Sequence, residues 1–456
     1  MYKFKSYING KFIDSVNKLE IIGPKDNAIV GVVSTLSPKM ISEAFAHAKL
    51  SFSSWRKLSS SKRITYVQKF KNLLNERKNE LAKIMFLENA KEMSDAISEI
   101  NRTIEYIEKT TIAFDKIKTR QMIIGGKTND IHLVPLGVVL AISPFNYSVN
   151  LSMSKIAPGL IAGNTIVFKP ATNGTLVGGF LATLMHEAGI PKGVFNLVTG
   201  RGRDIGDVLI SNPNIDMISF TGSVRVGKNI TKAQSMIPLV LELGGNDAGY
   251  VRHDADLDNA AKEIAKGAFS YSGQRCTAIK RVILHKDVKD EFIKKLLIAV
   301  SKMKTNPLIT SHAKDYVEEL ILDSKTKGDK FILEGKTNVN DVPFHIVETD
   351  ASSRAWKEEA FGPLLPIIVI DDEKDLINIF NQTNFGLQNS VFTKDIAFAK
   401  ELALDLESGS VNINRSSSRG PDEFPFLGVK DSGFGTQGIE SALFSMTREL
   451  NVINNK

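Results

Sequence analysis

Cysteine is almost absent: Cys276 is the only one in 456 residues. That excludes an intramolecular disulfide and any multi-cysteine metal site. The seven histidines are dispersed, with no HxxH or HExxH spacing, so no protein-bound metal is expected. No stretch approaches ~18 consecutive apolar residues, the length that would suggest a membrane span. The opening Met1-Tyr2-Lys3-Phe4-Lys5 has no apolar signal core. With a single thiol, that points to the cytoplasm. The net charge of +7 comes from 58 Lys and Arg against 51 Asp and Glu. No basic block is interleaved with aromatics, so no nucleic acid partner is expected. The lysines across Lys57–Lys91 and Lys280–Lys304 read as solvated faces. No internal repeat, low-complexity linker or opening Gly-x-Gly-x-x-Gly unit is present.

What is there is the composition of a globular enzyme, 42% hydrophobic and 24% charged, with 33 Gly and 15 Pro. A chain this long exceeds one core, so two or three domains are expected. Residues 1–35 read as short strands broken at Asn9-Gly10 and Gly23-Pro24. Pro38 to Ile117 has apolar residues recurring at three and four, a helical pattern. From Val134 the pattern changes. Strand Val134–Ile142, helix Asn150–Leu160, strand Thr165–Pro170, helix Leu176–Glu187 and strand Val194–Val198 follow in turn. One strand per ~30 residues, alternating with helices, predicts a doubly wound parallel sheet. A second set runs from about Arg281 through strands near Pro343–Glu348, Pro363–Ile370 and Ser410–Asn414, with helices Asp290–Met303 and Glu373–Gln382. A second α/β domain is therefore expected to begin just after Glu242.

The candidate chemistry clusters near that boundary. Cys276 stands in Tyr271-Ser272-Gly273-Gln274-Arg275-Cys276-Thr277-Ala278-Ile279-Lys280-Arg281. A lone cysteine is most often a small buried hydrophobe, but three neighbouring cations favour a thiolate, so Cys276 is a candidate nucleophile. Glu242 closes an apolar strand, Leu239–Leu243. A carboxylate there is either paired or held at a raised pKa, and both fit a general base. Asn146 follows a buried strand, where its amide is placed to donate to an oxyanion or to close an Asx turn. Phe220-Thr221-Gly222-Ser223 runs from a strand into a helix N-terminus, either a pyrophosphate site or a plain cap.

Seven motifs stand in order along essentially the whole chain. They are Pro144-Phe145-Asn146, Phe168-Lys169-Pro170, Phe220-Thr221-Gly222-Ser223, Leu241-Glu242-Leu243-Gly244-Gly245, Gly273-Gln274-Arg275-Cys276, Glu359-Ala360-Phe361-Gly362-Pro363 and Pro425-Phe426-Leu427-Gly428. Together they resemble the aldehyde dehydrogenase superfamily. The stretches Pro144–Asn150, Tyr271–Arg281 and Arg419–Gly428 are most similar to its branch acting on glyceraldehyde 3-phosphate without inorganic phosphate.

The resemblance implies an α/β fold with a Rossmann-type cofactor domain (1–115 and 136–242), an α/β catalytic domain (243–430) and a small oligomerisation element (116–135 and 431–456). It implies Cys276 as nucleophile, Asn146 as oxyanion donor and Glu242 as the base activating water on a thioester. It places cofactor at Lys169, Thr172, Ser223, Glu359 and Phe361. No acid stands at Ala171, Thr172 or Asn173, so NADP is expected, with NAD weaker. Arg102, Tyr147, Arg275 and Arg419 match the positions that hold a substrate phosphate. The implied assembly is a homotetramer, or a homodimer. Two features depart from the pattern: Asn246 stands where relatives usually carry Lys, and the segment between the Arg102 helix and strand Leu136 is short. A broad-specificity or succinate-semialdehyde dehydrogenase is the alternative. A CoA-acylating relative would not need Glu242, and an inactive scaffold would not need all three catalytic residues.

Overall fold

The computed structural model describes every residue except Ser235 and Lys456, the latter closing the expected 431–456 element. Five apolar, β-branched strands form the centre of the first sheet. Their spatial order is Leu239–Glu242, Met217–Thr221, Val138–Ile142, Thr165–Lys169, Phe195–Leu197, all parallel. Antiparallel Gly433–Phe434 extends one edge, and the hairpin Ser6–Ile8/Lys11–Ile13 extends the other. These strands read as continuous apolar runs because both faces are covered. Val139 and Ala141 join a core with helices Met93–Ile117 and Asn150–Ala162, while Val138 and Leu140 join a second core with helix Pro38–Trp55.

In chain order the sheet starts at its middle, grows two strands one way, then returns and grows two the other way. The reversal falls between Val138–Ile142 and Met217–Thr221. At such a switch point the loops leaving the two carboxyl ends diverge and open a crevice. Here those loops carry Asn146 and Ser223.

After Glu242 the chain crosses in four residues, Leu243 to Asn246, to a second sheet that starts at Asp247–Val251. Strands His345–Glu348, Leu364–Ile370, Ile279–His285, Asp247–Val251, Gln388–Phe392 and Ser410–Ile413 lie parallel in that order, with Lys330–Leu333 antiparallel at one edge. Cys276 precedes Ile279–His285, the neighbour of Asp247–Val251. Nucleophile candidate and carboxylate thus sit where one sheet hands the chain to the other. A third, antiparallel sheet joins Thr119–Ile124, Lys127–Pro135 and Thr447–Asn455. Between Gly433–Phe434 and that last strand, helix Ile439–Ser445 packs Ile439 and Leu443 into the first core. Among the described residues no helix is long and apolar enough to cross a membrane, and no cluster of three or more His, Cys, Asp or Glu is placed to hold a metal.

Three elements differ from expectation. Val134–Ile142 is not one strand: Val134 and Pro135 end a strand of the third sheet, and Val138–Ile142 belongs to the first. Gly137, at φ +145°, turns the chain between them. The apolar run is continuous across the break, so pattern alone cannot see it. The helix from Asp256, which the sequence reads as running on to the Cys276 stretch, stops at Phe269 and gives way to a short 3-10 turn over Ser270–Gly273. Between Met303 and Pro343, where no element is expected, lies helix Ser311–Lys327; its short buried stripe of Val317, Leu320, Ile321 and Ser324 is outnumbered by charged neighbours.

Gly137 leaves no room for a side chain. A Cβ there would meet Asp216 Oδ2 at 2.0 Å, and that oxygen accepts the Val138 N–H at 2.8 Å. Positive φ at a non-glycine residue costs about 1–3 kcal/mol before any clash is counted. Gly137→Ala is therefore expected to lower the thermal midpoint by several degrees, and an unchanged midpoint in a differential scan would contradict this turn.

Candidate active site

Glu242 is the last residue of its strand, paired in register with Thr221. It is 6% exposed, so a charge there needs partners. It has three. Thr221 Oγ1 donates to Oε2 at 2.7 Å, Arg419 Nη1 donates to Oε1 at 2.9 Å, and Lys155 Nζ lies 3.6 Å from Oε2. Lys155 also donates to Thr221 Oγ1 at 2.7 Å, which makes a file of ammonium, hydroxyl and carboxylate. Burial alone would raise the Glu242 carboxyl, but Arg419, Lys155 and the Thr221 hydroxyl outweigh it and hold it below the usual range. Of the two sequence alternatives, pairing or a raised pKa, the structure shows pairing. Burial pushes Lys155 down to about 8, against the pull of Glu242.

Cys276 follows a turn in which Tyr271, Ser272 and Gly273 all have positive φ, at +54°, +50° and +72°. Although Cys276 keeps part of its surface open, the protein crowds its thiol. Burial pushes the thiol up to about 11, and Lys280 only partly offsets it. The expectation that three adjacent cations favour the thiolate is therefore corrected. Arg275 points away, to the Gly267 and Lys266 carbonyls. Arg281 is buried on the Asn246 carbonyl at 2.9 Å and the Phe380 carbonyl at 3.3 Å, over the Trp356 ring. Only Lys280 stays near, donating to the Cys276 carbonyl at 2.7 Å and lying 3.1 Å from Glu359. Lys280 is also buried, contrary to the reading of Lys280–Lys304 as a solvated face.

Asn146 bridges the two halves. Its Nδ2 donates to the Gln274 carbonyl at 2.9 Å, two residues before Cys276, and its Oδ1 accepts the Tyr147 N–H at 3.0 Å. An amide has two N–H bonds, so one remains for an oxyanion.

The four residues expected to hold a phosphate are brought together only in part: Arg102 and Tyr147 share a cavity, Arg102 and Arg419 both face Asp422 Oδ1, and Arg275 is turned away. Arg102 and Tyr147 line one cavity of about 570 Å³, together with Lys91, Glu99, Tyr271, Lys304 and Asn306. Arg275 and Arg419 are not among its lining. Arg102 forms a two-bond pair with Asp422 at 2.8 Å, and Asp422 is also 3.8 Å from Arg419. Arg419 is committed to Glu242 and, at 2.6 Å, to Gln437 Oε1. A larger cleft of about 770 Å³ lies elsewhere, between helices Leu257–Phe269 and Lys289–Val300, and contains none of the candidate residues.

The cofactor candidates lie around the switch point. Lys169 is buried, its ammonium bonded to the Pro170 carbonyl at 2.8 Å, and burial pushes it down to about 8. Thr172 opens a short 3-10 turn just beyond. Ser223 is exposed and caps helix Val224–Ala233 by accepting the Val226 N–H. Glu359 accepts the Gly245 N–H at 3.0 Å, close enough to Gly244 that a Cβ there would meet Oε2 at 2.1 Å. Phe361 lies edge-on to Phe145 at 6.2 Å. Asn246, the departure from the usual Lys, donates to the Trp356 carbonyl at 2.9 Å and is a packing residue.

Sequence reasoning missed Lys155, Thr221 as a bonding partner, Gln437, and the Lys91–Glu99 pair. Lys155 had a signal: it is the one charge in a helix, Asn150–Ala162, otherwise apolar or small and buried on every side. Gln437 had none, because only folding brings it to Arg419.

A thiol, a paired carboxylate and an amide at the mouth of a doubly wound sheet define the class. The aldehyde dehydrogenase family model matches residues 12–452, and the chain belongs to that family of oxidoreductases. Among its relatives, the NADP-dependent glyceraldehyde-3-phosphate dehydrogenase of Streptococcus equinus is 39% identical over 98% of this chain and 97% of its own. The lactaldehyde dehydrogenase of Methanococcus aeolicus is 36% identical over 98% of this chain and 99% of its own. The crystal structure of NADP-dependent glyceraldehyde-3-phosphate dehydrogenase from Bacillus halodurans C-125 complexed with NADP superimposes with a TM-score of 0.97, at 39% identity and full coverage of both chains.

The enclosed thiol is directly testable. A raised pKa means that Cys276 is neutral at physiological pH in the free protein, and that thiolate appears only as pH climbs toward about 11. Alkylation by iodoacetamide is expected to accelerate about tenfold per pH unit from pH ~7, without levelling below pH ~10, as thiolate-limited chemistry requires. A plateau near pH ~8, the range of a free thiol, would refute the enclosure.

Proposed function

We propose that the chain oxidises glyceraldehyde 3-phosphate to 3-phosphoglycerate with NADP, releasing a free acid rather than an acyl phosphate. The full-length similarity to dehydrogenases of that name carries the reading, and the geometry supports it. Residues 1–115 and 136–242 are proposed to bind the cofactor, and 243–430 to carry the catalytic residues.

The residues present suit NADP. The Lys169 ammonium has one protein acceptor, the Pro170 carbonyl, and no carboxylate stands at Ala171, Thr172 or Asn173 to repel a 2′-phosphate. Ser223 at a helix N-terminus suits the pyrophosphate. Glu359, already fixed by Gly245 and Lys280, suits the nicotinamide ribose, with Phe361 beside it. The chemistry the dinucleotide supplies when bound is acceptance of the aldehyde hydrogen as hydride.

The rest is done by the chain's own groups. Cys276 gives its thiol proton to solvent water, and its Sγ attacks the aldehyde carbon. The free Asn146 N–H and the Cys276 backbone N–H stabilise the oxyanion. After oxidation the acyl group is a thioester on Cys276. Glu242 takes a proton from water, the hydroxide adds to the thioester, and Cys276 departs as thiolate. The Thr221 hydroxyl and the Lys155 ammonium both donate toward Glu242 and keep its carboxylate charged and oriented for that step. Arg102 and Tyr147 hold the substrate phosphate in the cavity they line, once Asp422 yields Arg102. Arg419 holds Glu242 in place, a role that replaces the expected phosphate contact. The proposed compartment is the cytoplasm.

In phosphate-free buffer the protein is expected to form NADPH from glyceraldehyde 3-phosphate faster than from lactaldehyde or succinate semialdehyde. Cys276→Ser abolishes turnover, Arg102→Ala raises KM for the phosphorylated aldehyde alone, and Glu242→Gln leaves a single burst of NADPH followed by slow turnover. Equal rates with unphosphorylated aldehydes would overturn the phosphate site while leaving the thioester chemistry intact.

The third sheet is proposed as the oligomerisation element. Its edge strand Thr119–Ile124 is exposed at every residue, including the apolar Met122, Ile123 and Ile124, and Val452 and Ile453 of the opposite edge strand, Thr447–Asn455, are exposed too. An open apolar edge invites a second chain. Light scattering is expected to give the mass of four chains, and replacing Ile123 and Ile124 with Lys to give smaller species. A monomeric wild type would refute this surface.

A further inference from the structure

The junction between helices Lys78–Asn89 and Met93–Ile117 is densely buried: Glu88 and Asn89, which end the first helix, and Ala90 and Lys91, which open the three-residue connector, are all buried. Ala90, at φ +52°, turns the chain so that each neighbour faces a different part of the molecule. Glu88 accepts the Leu176 and Val177 N–H bonds at 2.8 and 3.0 Å, at the start of the helix that follows Lys169 and Thr172. Asn89 accepts the Ser148 hydroxyl at 3.1 Å, and its carbonyl accepts the Tyr271 hydroxyl. The Ala90 carbonyl accepts the Asn306 amide at 3.2 Å.

Lys91 occupies the centre. It is 3% exposed and forms an ion pair with Glu99, itself 4% exposed. Its Nζ donates to the Asn146 carbonyl at 2.6 Å and lies 4.0 Å from the centre of the Tyr147 ring. Two of its three N–H bonds thus go to protein oxygens, and the Tyr147 ring covers the ammonium beside them. Glu99 completes the clamp: Oε1 accepts the Val149 and Asn150 N–H bonds at 2.9 and 3.0 Å, capping helix Asn150–Ala162, whose own N-terminal residue offers no side-chain cap. Loop 146–150 is thereby gripped by a cation at its start and an anion at its end. This also corrects the reading of Lys57–Lys91 as solvated throughout.

We propose that Lys91, with Glu99, is a positioning pair for the reaction: it sets the main chain of Asn146, and through it the direction of the Asn146 amide toward the carbonyl before Cys276. Although Lys91 borders the substrate cavity, its donors are committed to the protein, so it acts through Asn146 rather than on the substrate. An amide donor loses most of its effect when it is displaced from where the oxyanion forms, and a lysine fixed on both sides prevents that displacement.

The inference rests on the role given to Asn146 above, and its test is a double-mutant cycle. Lys91→Met is expected to lower kcat/KM by roughly 10- to 100-fold, the scale of a misplaced oxyanion donor. In an Asn146→Ala background the same change is expected to cost less than about threefold, because the amide it positions is gone. NADP affinity, read by fluorescence quenching, stays unchanged. If Lys91→Met does not fold, Lys91→Met/Glu99→Gln, which leaves no unpaired buried charge, takes its place. Equal losses in both backgrounds would show a merely structural role and overturn the proposal. The cycle uses whichever aldehyde the wild type oxidises. Failure of glyceraldehyde 3-phosphate as substrate is therefore visible in the wild type alone, and an inert Asn146→Ala separately removes the role assigned to Asn146.

Discussion

A carboxylate at the end of a buried strand is the constraint to which the rest of this structure answers. Glu242 stays charged at 6% exposure only because Arg419, Lys155 and Thr221 reach it from three separate segments. Each of those needs its own support. Lys155 comes from a helix buried on every side, Thr221 from the adjacent strand, and Arg419 from a loop tied to Gln437. Removing one partner of such a cluster leaves a buried charge uncompensated, which is far costlier than losing a surface pair. The hand-over between the two sheets is therefore an electrostatic joint as much as a covalent one.

The Cys276 side is built by a different device. Three successive left-handed residues, Tyr271 to Gly273, bend the chain between a helix and a strand, and strain of that kind persists only where surroundings over-determine it. The surroundings are identifiable. The Tyr271 hydroxyl bonds to the Asn89 carbonyl, Ser272 Oγ accepts the Asn306 N–H at 2.7 Å, and a Cβ on Gly273 would meet the Gly362 carbonyl at 2.4 Å. The connector around Lys91 thus touches the turn before Cys276 and the Asn146 loop together. Both sides of the site hang from one buried junction.

Much of this was legible in residue order. Alternating strands and helices from Val134 onward announced the parallel sheet, although its first strand begins only at Val138, and Glu242, Asn146 and Cys276 were marked by chemistry out of keeping with their apolar surroundings. Legibility failed where a decision depended on distant partners. The lysines of Lys57–Lys91 and Lys280–Lys304 look alike in sequence, yet Lys91 and Lys280 are buried in ion pairs while others around them are exposed. The arginines behaved likewise: Arg102 reaches the cavity, whereas Arg275 turns to the end of helix Leu257–Phe269 and Arg419 to Glu242. A side chain with four rotatable bonds does not declare its direction.

By itself, then, the sequence determined the fold class, the family and the choice of candidate reactive side chains, because periodicity and rare residue types are local properties. Tertiary structure decided the charge state and aim of those side chains. The Cys276 thiol is held high by the enclosure around it and not lowered by its sequence neighbours, and the Glu242 carboxyl is held low by Lys155 and Arg419, 87 and 177 positions away, and by Thr221 on the next strand. Burial and pairing depend on what lies within a few ångströms in space, and only the folded chain sets that distance.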